Sequence, residues 1–299
     1  MDLIQANSFY LATPPIEAFA NKIRQWFLAT IPGGVVYGPS RVGKTSAIEY
    51  VLRTREAVFG YNIPLFKVEW KRGRLTESAF YERLLVASDH ALPTARTRAA
   101  DLEKRLIEYL ASSVIPSGTP CLVWFIDDAH FLTVDDFGWL MNIQNALTRR
   151  KIRMYTFLVG EPRLRDTRET FIVSGDAQII GRFMWSQYEF PHLKSAEDLA
   201  FVLKGYDIYR PSADSSVSLT EALVPQAWKG GWRLMDQAKT IWEPYVATRR
   251  AATCDKPNLM SMQACTILVA QLLRWLAKRD GVELVLDKAL VEKAVELVT

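Results

Sequence analysis

The chain has 299 residues, of which 49% are hydrophobic and 23% are charged, and its net charge is +4. This composition supplies a sizeable core and excludes a disordered chain, and the length allows one large domain or two smaller ones. The weak positive charge permits nucleic-acid binding without requiring it. The three cysteines are scattered without metal-binding spacing, which indicates a cytoplasmic protein. We expect no signal peptide and no membrane partner, because polar residues interrupt both the N-terminus and the most apolar stretch, 264–277.

In chain order, the first part of the sequence alternates between strand and helix patterns. It opens with a lead-in that contains a Pro14-Pro15 turn. Apolar periodicity then predicts helix 16–28, strand 34–37, helix 46–55, strand 65–70, helices 76–88 and 99–111, strand 121–126, helix 134–149 and strand 154–159. This alternation predicts an α/β fold, a three-layer domain built on a parallel sheet.

The strand patterns stop near residue 193, and only helix patterns follow. Helices are predicted over 195–205, 217–227, 231–249, 259–279 and 286–297, separated by Pro, Gly and Ser breaks. The sequence therefore predicts two domains, an α/β domain with its lead-in over 1–193 and an all-helical region over 194–299.

A glycine-rich loop lies between the first predicted strand and the following helix. It reads G-x-x-x-x-G-K-T, a phosphate-binding pattern when it stands in this context. Backbone N–H groups of such a loop surround an anion, and the helix N-terminus adds partial positive charge. Lys44 is expected to contact the β- and γ-phosphates, and Thr45 to bind Mg²⁺. The predicted contacts to ATP are Gly38, Pro39, Ser40, Arg41, Val42, Gly43, Lys44, Thr45 and Ser46.

A second motif follows the apolar run 121–126, which ends in Asp127-Asp128-Ala129-His130. An acidic residue at the carboxyl end of a central parallel strand faces the phosphate loop, so Asp127 is predicted to hold Mg²⁺. Asp128 is predicted to be the general base that orients the attacking water. Taken alone, the two acids could instead cap the next helix. With the phosphate loop upstream, they predict a Mg²⁺-dependent ATPase.

An α/β nucleotide domain followed by a helical lid resembles the AAA+ ATPases. The resemblance implies a polar sensor at Glu161, after the strand 154–159, where the family has Thr, Asn or Gln. It also implies that Arg182, in Ile179-Ile180-Gly181-Arg182-Phe183, reaches a neighbouring subunit's γ-phosphate as an arginine finger. Arg233, in Gly230-Gly231-Trp232-Arg233-Leu234, matches the sensor-2 turn. The alternative is that both arginines are ordinary surface residues.

Within AAA+ proteins, residues 9 to 245 resemble the TniB/TnsC regulators of DNA transposition. The resemblance is carried by G-P-S-R-V-G-K-T, D-D-A-H, V-G-E-P-R-L and the R-F box. It implies a bacterial, cytoplasmic protein that assembles with ATP into rings or helical filaments on double-stranded DNA. It also implies two protein partners, a transposase and a target selector. One departure is Asp128, where the family usually has Glu, and its shorter side chain predicts slow hydrolysis. Glu161 is the other departure, since an acid near the γ-phosphate is electrostatically unfavourable.

Three short basic clusters are candidates for contacts to DNA phosphates. Any of them could instead be a solvated loop or helix end. Their members are Lys71, Arg72 and Arg74; Arg96 and Arg98; and Arg149, Arg150 and Lys151. Two other functions stay open at this point. One is a helicase loader of the IstB/DnaC kind, and the other is a monomeric P-loop signalling ATPase that ignores DNA.

Overall fold

The computed structural model describes residues 12–90, 98–210, 215–252, 256 and 258–298. The chain divides into two compact units. One is an α/β unit formed by Phe19–Ser40 and Lys44–Phe190, and the other comprises the described residues of 1–18, 41–43 and 191–299. The predicted domain boundary at residues 193 and 194 stays a prediction.

The α/β unit is built on five parallel strands. They are β1 (Gly33–Tyr37), β2 (Leu65–Glu69), β3 (Cys121–Asp127), β4 (Arg153–Gly160) and β5 (Ser186–Glu189), in the spatial order β2-β3-β4-β1-β5. Because β4 lies between β1 and β3, the carboxyl ends of these three strands meet at one edge of the sheet. The predicted parallel sheet is confirmed, and β5 is an addition that the sequence pattern did not indicate.

Eight helices accompany the strands along the described chain up to residue 190. They are α1 (Pro14–Leu28), α2 (Lys44–Arg53), α3 (Arg55–Phe59), α4 (Glu77–Ala87), α5 (Ala99–Ser113), α6 (Val134–Arg149), α7 (Arg163–Ser174) and α8 (Ala177–Phe183). The residues of β3 from 122 to 127 are all buried, as expected for a strand covered on both faces. The ring of Phe125 packs against Phe19 and Phe157, with centroids 6.3 and 5.6 Å away.

The phosphate-loop helix and the segment after β4 differ from the predictions. The predicted helix 46–55 is wrong in its bounds, since α2 begins at Lys44 and ends at Arg53. Helices α7 and α8 were not predicted, because α7 is dominated by polar residues and shows little apolar periodicity. Strand β5 is only four residues long at the sheet edge and alternates between half-buried and exposed positions.

After residue 190 the described residues form helices joined by turns and loops, and their β-pairing is a single bridge between Leu193 and Met260. The helices are α9 (Ala196–Ile208), α10 (Leu219–Leu223), α11 (Pro225–Lys229), α12 (Ala238–Ala251), α13 (Met262–Ala277) and α14 (Lys288–Val295). Pro225 begins a new helix where a continuous one over 217–227 was predicted. The predicted helix 231–249 begins only at Ala238, because a turn and a short 3₁₀ segment precede it. None of the described helices is long and apolar enough to span a bilayer.

Candidate nucleotide-binding site

Three loops converge at the carboxyl edge of the sheet. The phosphate loop follows β1, Glu161 follows β4, and Asp128 follows β3. The backbone N–H of Gly38 donates to the carbonyl of Gly160 at 3.1 Å, which ties the start of the phosphate loop to the end of β4. The strand order, and not chain proximity, therefore assembles the predicted site residues of the α/β unit.

The phosphate loop has the backbone that an anion-binding turn needs. Gly43 has a φ of 106°, a conformation that a residue with a Cβ rarely adopts. Lys44 is the first residue of α2, so the N–H groups of the first helical turn have no intrahelical acceptor. Such an N-terminus is suited to a phosphate group. The loop and α2 therefore fit the triphosphate of ATP.

Lys44 is a buried cation at the base of the loop. Its side-chain Nζ donates to the carbonyls of Gly38 and Pro39 at 2.9 and 2.7 Å, and it forms no ion pair with a described residue. Burial lowers the pKa of Lys44, while the carboxylates of Asp127, Asp128 and Glu161 oppose that shift. A phosphate bound at the loop would supply the close ion pair that Lys44 does not form with any described carboxylate.

Thr45, in the first turn of α2, contacts Asp127 at the carboxyl end of β3. The Thr45 hydroxyl donates to Oδ2 of Asp127 at 2.8 Å. Neighbouring ligands of an octahedral Mg²⁺ are separated by about 2.9 Å, since the metal–oxygen distance is about 2.0–2.1 Å. The two oxygens are therefore spaced to share one cation. Burial raises the pKa of Asp127, and the Thr45 hydrogen bond and the charge of Lys67 oppose that rise.

Asp128 leaves β3 in a left-handed conformation, with φ 52° and ψ 33°. Its backbone N–H donates to Oδ1 of Asp127 at 3.1 Å. The Asp128 side chain is 44% exposed, whereas Asp127 is buried. The two acids thus have different surroundings, and the separate roles predicted for them stay predictions.

Glu161 is held by two neighbours. Its carboxylate lies 3.4 Å from Nη2 of Arg163, an ion pair that offsets the unfavourable charge of an acid at this position. Its backbone N–H donates to Nδ1 of His130 at 3.2 Å. His130, on the turn after Asp128, has a side chain that is only 2% exposed. Burial lowers the pKa of His130, so its neutral form is favoured.

Arg182 lies in the last turn of α8 and is half-buried. Its Nη1 donates to the side-chain oxygens of Gln144 and Asn145 at 3.1 and 2.7 Å. These acceptors are neutral, and Arg182 forms no ion pair with a described residue, so its charge is not compensated by a nearby carboxylate. The finger role stays a prediction.

Arg233 is fixed within the helical unit. Its guanidinium stacks on the Trp228 ring at 3.6 Å from the centroid, and Nη1 donates to the carbonyls of Trp228 and Trp232 at 3.0 and 2.8 Å. The residues that follow it are anchored by the buried Asp207, whose oxygens accept the N–H groups of Leu234 and Met235 at 3.2 and 2.9 Å. The arginine is therefore not a freely solvated surface residue, and its sensor role stays a prediction.

The predicted DNA contacts fall into two places on the α/β unit. Lys71, Arg72 and Arg74 follow the carboxyl end of β2, and Arg74 pairs with Asp135 at 2.9 Å. Arg149, Arg150 and Lys151 precede the amino end of β4. They are exposed and form no ion pair with any described residue.

A groove of about 290 Å³ lies between the start of α5 and the end of α6. Ala100, Glu103, Lys104, Ile107, Ala146, Arg149 and Arg150 line it. Arg98 immediately precedes α5 and pairs with Asp101 at 3.3 Å. Arg149 and Arg150 thus line the same groove as the start of α5, and Arg98 lies directly before that helix, whereas Arg96 lies outside the described residues. We call this surface the α5–α6 basic groove.

Sequence reasoning missed three residues around these sites. No role was predicted for His130, although it stands in the D-D-A-H motif two residues after Asp128. Lys67 forms a short ion pair with Glu49 at 2.6 Å near Asp127, and the alternation of β2 gave no sign of it. No local sequence pattern indicates the role of Asp207, because the N–H groups that donate to it lie 27 and 28 residues away.

The family comparison covers less than half of the chain, from β1 to the start of α7. Residues 32–167 match the family model described as an AAA domain. No curated protein shows a significant sequence match to this chain.

Solved structures extend the comparison to nearly the whole chain. The Aeropyrum pernix ORC2 protein in ADPNP–ADP complexes has a TM-score of 0.58 at 12% identity, and the match covers 99% of this chain and 70% of that one. Cdc6p from Pyrobaculum aerophilum has a TM-score of 0.59 at 11% identity, and the match covers 94% of this chain and 67% of that one. Drosophila ORC bound to DNA has a TM-score of 0.53 at 11% identity, and the match covers 94% of this chain and 70% of that one. Together with the family match, these similarities confirm the predicted AAA+ fold with a helical C-terminal region.

Proposed function

We propose that this protein is an ATPase that binds double-stranded DNA, assembles with copies of itself on it, and regulates DNA transposition in the bacterial cytoplasm. In that role it links a target selector to a transposase. The observation that best supports ATP binding and hydrolysis is the Thr45–Asp127 contact of 2.8 Å beside the buried Lys44. The AAA+ type of fold also supports it. The transposition part rests on the motifs shared with the TniB/TnsC group.

The site residues divide the work of hydrolysis among themselves. Lys44 binds the β- and γ-phosphates, and the loop N–H groups orient them. A Mg²⁺ ion held by Thr45 and Asp127 would supply charge neutralisation for the phosphate oxygens. Asp128 orients the attacking water and accepts its proton. Arg182 of one copy stabilises the charge that develops on the phosphate bound by another copy.

The α5–α6 basic groove is the best-supported surface for the DNA backbone. It has three cations, Lys104, Arg149 and Arg150, and one acid, Glu103, among its lining residues. Cations without an ion pair are free to replace the counterions that condense on DNA phosphates, and this exchange drives sequence-independent binding. The 71–74 cluster offers two such cations at a separate place, since Arg74 is already paired.

The test combines purified protein, a plain DNA duplex and either ATP, ADP or no nucleotide. Electron microscopy and a DNA-binding titration would be performed on the same samples. The proposal predicts ATP-dependent rings or filaments on the duplex and ATP turnover. DNA binding and ATP turnover without polymers on the duplex would favour a helicase loader, and ATP binding with complete indifference to DNA at low salt would favour the signalling ATPase.

A further inference from the structure

The carboxylates of Asp128 and Glu161 come from different strands, and one imidazole ring lies between them. His130 Nδ1 is 4.0 Å from Oδ1 of Asp128, and His130 Nε2 is 3.9 Å from Oε2 of Glu161. The ring is 2% exposed, whereas the side chains on either side of it are 44% and 37% exposed. The buried His130 ring therefore separates the partly exposed carboxylates of Asp128 and Glu161.

One hydrogen bond fixes the ring to the end of β4. Nδ1 accepts the backbone N–H of Glu161 at 3.2 Å, so the neutral ring carries its proton on Nε2, the atom nearer the Glu161 carboxylate. The ring is enclosed, so water is poorly placed to replace this acceptor.

Gly160 provides the space that the ring occupies. A Cβ on Gly160 would lie 3.0 Å from Nδ1 and 3.2 Å from the backbone N of His130. Both approaches are tighter than ordinary van der Waals contact, and the same Cβ would lie 3.2 Å from Cδ2 of Leu164, so a side chain at position 160 would push these neighbours by a few tenths of an ångström. The fit between Gly160 and His130 is thus specific to a residue without a Cβ.

We propose that His130 is a positioning residue for ATP hydrolysis, which holds the Glu161 backbone against the turn after β3 and so sets the separation of the Asp128 and Glu161 carboxylates. This inference rests on the proposed ATPase function. Because misplacement of a reacting group by about 1 Å can lower a rate about 100-fold, loss of the tether lowers kcat. ATP affinity depends on Lys44 and the loop, so it stays the same.

The experiment separates the hydrogen-bond acceptor from simple packing. His130→Leu keeps much of the volume and removes the acceptor, whereas His130→Asn keeps an acceptor near the position of Nδ1 and loses volume. We expect kcat to fall about 10- to 100-fold in the Leu variant, with little change in the ATP dissociation constant, and to be largely retained in the Asn variant. Hydrogen exchange at the Glu161 amide in nucleotide-free protein should accelerate only in the Leu variant.

A second pair of variants tests the same inference without deleting the histidine. Gly160→Ala should lower kcat in the same way by displacing the ring. Gly138→Ala is the matched control, because a Cβ there meets no atom within 4 Å, and it should leave kcat unchanged.

Wild-type turnover in the Leu variant, or equal losses in the Leu and Asn variants, would overturn the positioning role alone. A wild-type protein that binds ATP without hydrolysing it would overturn the proposed function instead. The hydrogen exchange of Glu161 would then still report whether the tether exists.

Discussion

The hydroxyl of Thr45 donates to the carboxylate of Asp127 at 2.8 Å, although the two residues are 82 positions apart. One belongs to the first turn of α2 and the other ends β3, and the intervening β4 places both strand ends at the same edge of the sheet. Both atoms are ligands suited to Mg²⁺. This contact joins the two sequence motifs into one site.

Lys44→Ala should abolish detectable ATP binding. The buried ammonium forms no ion pair with a described residue, and its two carbonyl acceptors carry no full charge, so the variant loses the cation for the β- and γ-phosphates. Binding of a fluorescent ATP analogue measures the effect. Arg53→Ala, at the end of the same helix, is the control and should bind normally. Normal ATP affinity in the Lys44 variant would remove the basis of the nucleotide site.

The two neighbouring acids should respond differently to substitution. Asp127→Ala should weaken Mg²⁺-dependent ATP binding, because it removes one of the two oxygens spaced for the metal. Asp128→Asn should preserve binding and lower turnover by about 100-fold or more, since it removes a general base. Titrations with and without Mg²⁺, together with phosphate release, measure both effects. An Asp128→Asn protein with unchanged turnover would exclude Asp128 as the base.

Arg182→Ala should bind ATP and fail to hydrolyse it in the assembled protein. A lost arginine finger lowers the rate about 1,000-fold or more, and the neutral acceptors Gln144 and Asn145 leave the guanidinium charge available to an anion. Asn145→Ala is a matched control, because it removes one hydrogen-bond acceptor of Arg182 and keeps the guanidinium charge. Its loss of ATPase activity should therefore be smaller. Full ATPase activity in a strictly monomeric wild-type protein would contradict a role across subunits.

Substitutions in the α5–α6 basic groove should weaken DNA binding more than substitutions after β2. Each phosphate contact contributes a slope of about −0.9 to log K against log salt concentration on duplex DNA. Arg149→Ala with Arg150→Ala should therefore reduce the slope by about 2 and leave ATP binding intact. Lys71→Ala with Arg72→Ala removes the same charge at the other surface. A larger effect of this second pair would move the DNA contact to the carboxyl side of β2.

Asp207→Ala should destabilise the helical unit by about 2 kcal/mol, because two backbone N–H groups lose a buried acceptor. Asp280 offers a control, since it also accepts two N–H groups, from Gln226 and Ala227, at a more exposed position. Asp280→Ala should therefore lower the free energy of unfolding by less than Asp207→Ala does. Urea unfolding of both variants measures the difference, and equal losses would show that burial of Asp207 is not the cause.

Local patterns were enough to predict most of the α/β unit. An uninterrupted apolar run identified β3, and a mostly apolar run identified β4. The phosphate loop was predicted from eight contiguous residues, Gly38–Thr45, because loop backbone chemistry depends on glycine spacing. The polar helix α7, the seven-residue helix α8 and the edge strand β5 were missed, because a solvated helix, a two-turn helix and a short edge strand need not show a clear apolar period.

Only the tertiary structure decided which distant residues meet. His130 and Glu161 are 31 positions apart and belong to different strand ends, so no periodicity could relate them. The same holds for the start of α5 and the end of α6, which form one groove because the two helices pack together. Residue types and short spacings determined the chemistry that each segment can perform, whereas the order of the parallel strands determined which segments share a site.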